Sequence, residues 1–287
     1  MKSKIQEIQK NILKITSKKA ILFILTITLL SSCTEVVNIP LETSNPKLVV
    51  EANINWAKGT PGNIQKIVLT KTTNYYSNSV PKVSGALVTV TNNANTIFNF
   101  IEIPNTGEYV CNNFVPVLNA NYKMSITSEG KNYTATEILK PVAPIQGFDQ
   151  DSNGGISGNK IRVKTLYNDP PNTADYYLYK YKYPNELSPD FYVSDDQFYN
   201  GNPFFSITLY DKLKQGDIIE ITHFGISQKY YNYLNILLSL TGNQGGGPFQ
   251  SPPVSVRGNI TNIADQNDFP FGYFSLSESD PKIYTVQ

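Results

Sequence analysis

The chain has few of the residues that form covalent cross-links, metal sites and catalytic triads. Its 287 residues include two cysteines, Cys33 and Cys111, and a single histidine, His223. Two thiols are too few for a disulfide-rich scaffold, and the fold must therefore be held by a hydrophobic core. We expect Cys111 to be buried in that core. One histidine excludes histidine-rich metal sites, and we expect His223 simply to end a strand. The serines form no Gly-x-Ser-x-Gly elbow, so we predict no catalytic residues and no cofactor.

Long apolar runs are also scarce near the N-terminus, where Ala20–Leu30 spans only eleven residues. A membrane-spanning helix needs about twenty, but a basic segment followed by a short apolar core is typical of a secretory signal. Six lysines precede the run, and Leu30-Ser-Ser-Cys33 follows it. This tetrapeptide resembles the bacterial lipobox, whose cysteine becomes the first mature residue and carries lipid. We predict a lipoprotein signal over 1–32, lipidation of Cys33 and a tether over 33–45. The alternative is an ordinary signal peptide with a chance cysteine.

Charge of one sign is weak in the mature chain. Removing the six lysines and one glutamate of the signal changes the formal net charge from +1 to −4. A mildly acidic chain without a basic cluster argues against nucleic acid as a partner. The residue after Cys33 is Thr34, not the aspartate that indicates retention in the inner membrane. We therefore expect attachment to the outer membrane by the N-terminal lipid, with the membrane face left open.

Short alternating segments predict a mainly β fold. Seven strands are expected in the first half of the mature chain, at 47–54, 64–71, 86–91, 97–101, 107–111, 121–127 and 132–138. Their number and spacing predict an N-terminal β-sandwich of the immunoglobulin or transthyretin kind over 46–141. Prolines and then a Gly/Asn/Ser/Asp cluster predict a linker over 142–159.

The second half, 160–287, reads as a β-rich C-terminal domain with one α-helix. Strands are expected at 160–167, 175–183, 204–210 and 217–224, and at the terminus around 272–277 and 282–286. Ser227 is placed to cap a helix over 227–241, because apolar residues follow it at helical spacing.

Two acidic segments are candidates for chemistry. Asp149, Asp151 and Asn153 match the first half of a calcium loop, but Lys160 stands where the loop needs a bidentate glutamate. We therefore favour a linker without metal. Asp195-Asp196 supplies one half of a glycosidase acid/base pair, but no partner can be named, and a solvated loop is the simpler interpretation.

Aromatic residues offer the better candidates for binding. Tyr177, Tyr179, Tyr181 and Tyr183 alternate with Lys180 and Lys182, so a strand would place four rings on one face. A sugar-stacking platform is one interpretation; we favour a core filled by tyrosine, with the lysines facing water. Aromatic residues in the loops are expected to form a contact surface. These residues are Phe191, Tyr192, Phe198, Tyr199 and Phe249.

Several segments together resemble one protein family. They are Pro46–Glu51, Val83–Val90, Gly107–Tyr109, Asn168–Pro171, Asp175–Tyr177, Leu213–Asp217, Pro252–Ile260 and Phe269–Phe274. In their order and spacing they resemble the DUF4249 family of Bacteroidota lipoproteins over nearly the whole mature chain. The resemblance implies an outer-membrane lipoprotein, often encoded beside TonB-dependent receptors.

These observations predict a non-catalytic, lipid-anchored binding or accessory protein. The partner that the resemblance implies is a TonB-dependent receptor in nutrient uptake. An alternative is a structural or assembly lipoprotein of the envelope. A third, disfavoured reading is a glycan-active enzyme, for which no acid/base pair can be located.

Overall fold

The computed structural model describes residues 45–74, 76–155, 158, 160–208, 210–240 and 256–287. The first seven strands are β1 (Leu48–Ala57), β2 (Gln65–Lys71), β3 (Leu87–Asn92), β4 (Ile97–Ile103), β5 (Glu108–Cys111), β6 (Asn121–Ser128) and β7 (Lys131–Ile138). The later elements are β8 (Ile145–Gly154), β9 (Lys160–Asn168), β10 (Tyr176–Lys182), β11 (Asp190–Asp195), β12 (Pro203–Ile207), β13 (Ile218–Ile226), α1 (Gln228–Leu240), β14 (Thr261–Asn262) and β15 (Phe271–Thr285). Over these ranges, no helix has the length and apolar character needed to cross a membrane.

The first seven strands bury every second side chain. In β4, for example, Phe98 and Phe100 are buried while Ile97 and Ile101 are exposed. Buried residues of β1, β2 and β5 join those of β3, β4, β6 and β7 in one core. The sheet therefore curls over a shared interior, as expected of a sandwich, because each strand has one apolar face to bury. For the residues that the structure describes, the predicted mainly β fold with one helix is confirmed.

The last strand, β15, pairs both with the first described strand and with a strand of the second half of the chain. Twelve strands of the described region form one sheet, in the order β11-β10-β13-β15-β1-β2-β5-β4-β3-β6-β7-β14. The first part of β15 pairs parallel with β1, and its second part pairs antiparallel with β13. A smaller sheet has the order β12-β9-β8. Residues Asn45–Gln287 form one compact unit.

A glycine permits the contact between β15 and β1. Gly272 has a φ of 103°, and a Cβ atom there would lie 1.9 Å from the carbonyl oxygen of Val50. Only glycine adopts this backbone conformation readily and also lets the two strands approach so closely. The position therefore fixes the register in which Val50 lies opposite Gly272.

Three segments differ from the sequence-based expectation. Much of the expected linker, 142–159, is strand β8, which pairs with β9. The aromatic loop expected around 191–199 begins as strand β11, and the two expected terminal strands are the single strand β15. The charged composition of β8 resembles a loop, but its carboxylates pair with cations of β9, and such cross-strand pairs are compatible with a strand.

Acidic residues of β15 hold the chain leading into β8. The backbone N–H of Val142 donates to Glu278 (2.9 Å), and that of Ile145 donates to Asp280 (2.7 Å). Both carboxylates are buried, and Lys58 pairs with Glu278 at 2.9 Å. Charge-assisted bonds of this kind hold the segment between the two sheets in place.

Candidate functional site

The single helix of the described region begins at the predicted cap. The backbone N–H of Tyr230 donates to Oγ of Ser227 (3.1 Å), as an N-cap residue requires. The Ser227 hydroxyl in turn donates to the buried carboxylate of Glu137 on β7 (2.9 Å). Leu234 and Leu238, one turn apart, are the buried positions of the helix. The cap and this apolar stripe place α1 against the sheet.

Strand β10 presents a different surface to each side of the sheet. Tyr177, Tyr179 and Tyr181 are buried in an aromatic core, which confirms the core reading of the tyrosines. The alternate residues Leu178 and Lys180 lie on the side of α1. The expectation that the lysines face water holds for the exposed Lys182 but is wrong for half-buried Lys180, because the helix covers that part of the strand.

A pocket of about 390 Å³ lies between α1 and this face of the sheet. Its lining is mainly apolar: Ile54, Leu178, Phe191, Phe224, Tyr230, Leu234, Leu237 and Leu238. The sheet supplies neighbouring positions, because Leu178 lies opposite Phe224 and Lys180 lies opposite Phe191. The volume falls within the range of sites that bind small molecules.

One wall of the pocket is polar and comes from β1 and β15. Asn53, Asn55, Ser275 and Ser277 line it. Asn53 accepts hydrogen bonds from Ser275 (2.8 Å) and from the hydroxyl of Tyr230 (3.3 Å). These bonds hold the wall in a fixed arrangement and connect it to the helix. The pocket is therefore formed by α1 together with residues of β1, β10, β11, β13 and β15.

Among the described residues of the lining, Lys180 is the one with a formal charge. Within the described part of the chain its ammonium makes neither a hydrogen bond nor an ion pair, whereas Lys182 pairs with Glu220 at 2.9 Å. Burial raises the pKa of Tyr230 to about 12, so that hydroxyl stays neutral near pH 7. The pocket thus combines an apolar surface with one positive charge.

The predicted contact residues are not all together. Phe191 lines the pocket, while Tyr192 lies against the aromatic core, 6.0 Å from the ring of Tyr181. Phe198 is 93% exposed, and Tyr199 stacks on Phe204 with ring centroids 3.5 Å apart. Phe249 and the lipidation candidate Cys33 lie outside the described residues. The proposed contact surface stays a prediction, with Phe191 in the pocket and Phe198 exposed.

His223 lies within β13, three residues before its last residue, and so does not end a strand as expected; it is fully buried among tyrosine rings. Its ring stacks on Tyr179 at 4.8 Å and lies 4.6 Å from Tyr167 and 4.7 Å from Tyr177. Neither ring nitrogen has a hydrogen bond of normal geometry within the described structure. Burial lowers the pKa of His223 to about 3, against a smaller opposing effect of the Ala143 backbone. Its position is that of a neutral core residue.

Three carboxylates meet at one end of β10. Asp169, Asp175 and Asp196 have oxygens within 4.8 Å of one another, an oxygen set of the kind a divalent cation takes. Each already has a donor. Tyr177 donates a hydrogen bond to Asp169 (2.6 Å), Thr173 donates one to Asp175 (2.5 Å), and Asn200 donates one to Asp196 (2.9 Å). Burial and the neighbouring carboxylates raise the pKa of Asp169. Each of the three carboxylates therefore has at least one hydrogen-bond donor within the described structure.

The acidic pair Asp195-Asp196 is divided between two surroundings. Asp196 belongs to the cluster of three carboxylates described above, whereas Asp195 accepts a hydrogen bond of 3.0 Å from the hydroxyl of Tyr231 on α1. Asp196 is buried, so the expected solvated loop is not what the structure has at that residue. Sequence reasoning missed Asp169 and Asp175 as its neighbours, although both stand in the segments that carry the family resemblance.

The calcium candidates lie on β8 and face cations. Asp149 pairs with Lys164 at 3.2 Å and Asp151 pairs with Arg162 at 2.8 Å. The backbone N–H of exposed Asn153 donates to Asp151 (3.0 Å). A strand bordered by these positive side chains does not provide the loop of converging oxygens that calcium requires.

Cys111 is buried, as expected. Its thiol lies 3.2 Å from Oδ1 of Asn113, to which it donates a hydrogen bond, and burial raises the pKa of the thiol. A raised pKa disfavours the thiolate, the reactive form. The residue therefore acts as part of the core.

Comparison with known proteins gives a family but no activity. The family model described as "Domain of unknown function (DUF4249)" matches residues 34–283. No curated protein matches the chain. A solved structure of two fibronectin type III domains from chicken tenascin is similar at 17% identity, over 63% of this chain and 91% of that one, with a TM-score of 0.20.

Proposed function

Because the chain belongs to the DUF4249 family, whose description assigns no activity, we propose a function from the site itself. The protein is a non-catalytic binding protein, anchored to the outer membrane by lipid on Cys33, that holds a small apolar ligand between α1 and the sheet. The observation that carries this proposal is the pocket of about 390 Å³ with its mainly apolar lining. A concave apolar site with a few polar groups is the usual form of a small-molecule site.

The anchor and the partner rest on the sequence. The basic segment, the short apolar core and Leu30-Ser-Ser-Cys33 support lipidation, and the family resemblance supports a role beside a TonB-dependent receptor in nutrient uptake. Purification of a C-terminally tagged copy from solubilised outer membranes is expected to recover a β-barrel receptor in stoichiometric amount. Recovery of the lipoprotein alone would remove the receptor from the proposal and leave the pocket unaffected.

Binding of a neutral apolar dye tests the pocket directly. The sample is the chain from residue 33 onward with Cys33→Ser, which carries no lipid and therefore needs no detergent. The change lies outside the compact unit Asn45–Gln287. The small dye 1-naphthylamine, which is neutral at pH 7, is expected to bind at a single site with enhanced fluorescence. Leu237→Trp, which places an indole in the pocket, is expected to weaken dye binding by about tenfold or more.

The same helix offers a matched control. Ile236 is the neighbouring residue, is 44% exposed and does not line the pocket. Ile236→Trp adds the same side chain to the solvent side, so the dye affinity should stay within about twofold of the wild type. Equal dye affinities in both variants would refute the pocket as the ligand site.

A further inference from the structure

We propose that the pocket is selective for apolar monocarboxylates, with the ammonium of Lys180 binding the carboxylate. The inference rests on the proposed function, because it names the class of ligand for the same pocket. It depends on three observations: the charge of the lining, the absence of a partner for that charge within the described residues, and the volume.

The described residues that line the pocket carry one formal positive charge and include no acidic residue. Lys180 is half-buried at a position between Phe191 on β11 and Thr222 on β13. A partly buried ammonium beside apolar groups loses hydration, and it regains an electrostatic partner only if an anion enters. A neutral ligand leaves this group unpaired, and a cationic ligand is repelled by it.

Nearby acids do not neutralise Lys180. Glu220 on β13, two residues from Thr222, is paired with Lys182 at 2.9 Å. Asp190 begins β11 opposite Tyr181 and accepts a hydrogen bond from Tyr192 (3.3 Å). Lys180 therefore keeps its charge available to a ligand, while Lys182, two residues away on the same strand, does not.

The volume sets the size of the ligand. At roughly 30 Å³ for each water-sized group, a space of about 390 Å³ holds roughly a dozen non-hydrogen atoms. A straight-chain carboxylate of eight to ten carbons has about this size and would place its chain against Leu234 and Leu238.

Calorimetry with octanoate, octanol and octylamine on the detergent-free mature chain tests the inference. Octanoate is expected to bind about ten- to a hundredfold more tightly than octanol, and octylamine more weakly than either. Lys180→Met keeps the length of the side chain and removes its charge, so the ratio of the octanoate and octanol Kd values should fall to about one. Lys180→Arg should retain the preference. Lys229→Met is the matched control and should keep the wild-type ratio, because Lys229 is an exposed residue of α1 that does not line the pocket.

Failure of the inference can be distinguished from failure of the proposed function. Equal affinity for octanoate and octanol in the wild type, or a preference that survives Lys180→Met, overturns the inference and leaves the pocket as an apolar site. Tight binding of the neutral dye without any binding of octanoate would likewise overturn the inference and leave the pocket as an apolar site. If neither the dye nor any of the three octyl compounds binds, the proposed function and the inference are both wrong.

Discussion

The hydroxyl of Ser227 donates a hydrogen bond of 2.9 Å to the carboxylate of Glu137, which lies 90 residues earlier in the chain. The same carboxylate oxygen accepts a second bond, of 3.1 Å, from the hydroxyl of Tyr273 on β15. Glu137 is buried, so these donors replace the water that the carboxylate would otherwise bind. The first turn of α1 is thereby attached to strands β7 and β15, and the position of the helix over the pocket depends on this contact.

Ser227→Ala should lower the free energy of unfolding by about 2–3 kcal/mol, because it removes the helix cap and one donor to a buried carboxylate. Urea unfolding measures the change. Ser239→Ala is the control: its hydroxyl donates to the carbonyl of Ile236 near the exposed end of the same helix, and its loss should cost about 0.5 kcal/mol or less. Equal costs in the two variants would mean that the Glu137 contact does not stabilise the helix.

Gly272→Ala should destabilise the protein strongly. The methyl group would lie 1.9 Å from the carbonyl oxygen of Val50, and a φ of 103° is unfavourable for alanine. The backbone strain alone costs about 1–3 kcal/mol, and separation of β15 from β1 adds to it. We expect a loss of about 3 kcal/mol or more in urea unfolding.

Gly147→Ala provides the comparison, because a Cβ atom there meets nothing within 4 Å and the backbone of Gly147 is not left-handed. Its effect should lie within about 1 kcal/mol of zero. If Gly272→Ala were as mild as this control, the close parallel contact of β15 with β1 would be contradicted.

Much of the fold was predictable because it depends on local patterns. Alternation of apolar and polar residues located strands such as β4 and β6, and the hydroxyl of Ser227 before an apolar stripe located the start of α1. The tyrosine face of β10 was predictable for the same reason, since side chains in a strand alternate with a period of two.

The parts that were missed depend on residues distant in the chain. No local signal indicates that β15 pairs with β1, or that Asp151 meets Arg162 and so allows β8 to form in a polar segment. The pocket was missed because Lys180 reads as a surface residue until α1 is placed over it. Leu178, an apolar residue on the supposedly exposed face of β10, was the available signal that this face is covered.

The stability of the protein should fall as the pH is lowered from 7 to 5, because of His223. Burial lowers the folded-state pKa of His223 to about 3, whereas an unfolded histidine has a pKa near 6.5. The unfolded state therefore takes up a proton below about pH 6.5 that the folded state does not bind until about pH 3, and this difference favours unfolding. The rings around His223, those of Tyr167, Tyr177 and Tyr179, stay neutral because burial raises their pKa values.

Between pH 7 and pH 5 this linkage should cost about 2 kcal/mol in the wild type. In His223→Phe the cost should be absent, and the comparison of the two proteins removes the contribution of the carboxylates. Since His223 is the sole histidine, the imidazole signals of a tag-free sample can also be followed by NMR. Titration of those signals with a midpoint near 6.5 in the folded protein would contradict the buried, neutral state.

Cys33→Ser should release the protein from the membrane, because serine lacks the thiol that receives the lipid. The wild type is expected to incorporate labelled palmitate and to fractionate with the outer membrane, while the variant should lose the label and the membrane attachment. Cys111→Ser is the matched control, since that thiol is buried in the folded core and is the other cysteine of the chain. It should keep both the label and the membrane fraction. Continued labelling of Cys33→Ser would contradict the lipobox assignment, and membrane attachment without label would require an anchor other than lipid.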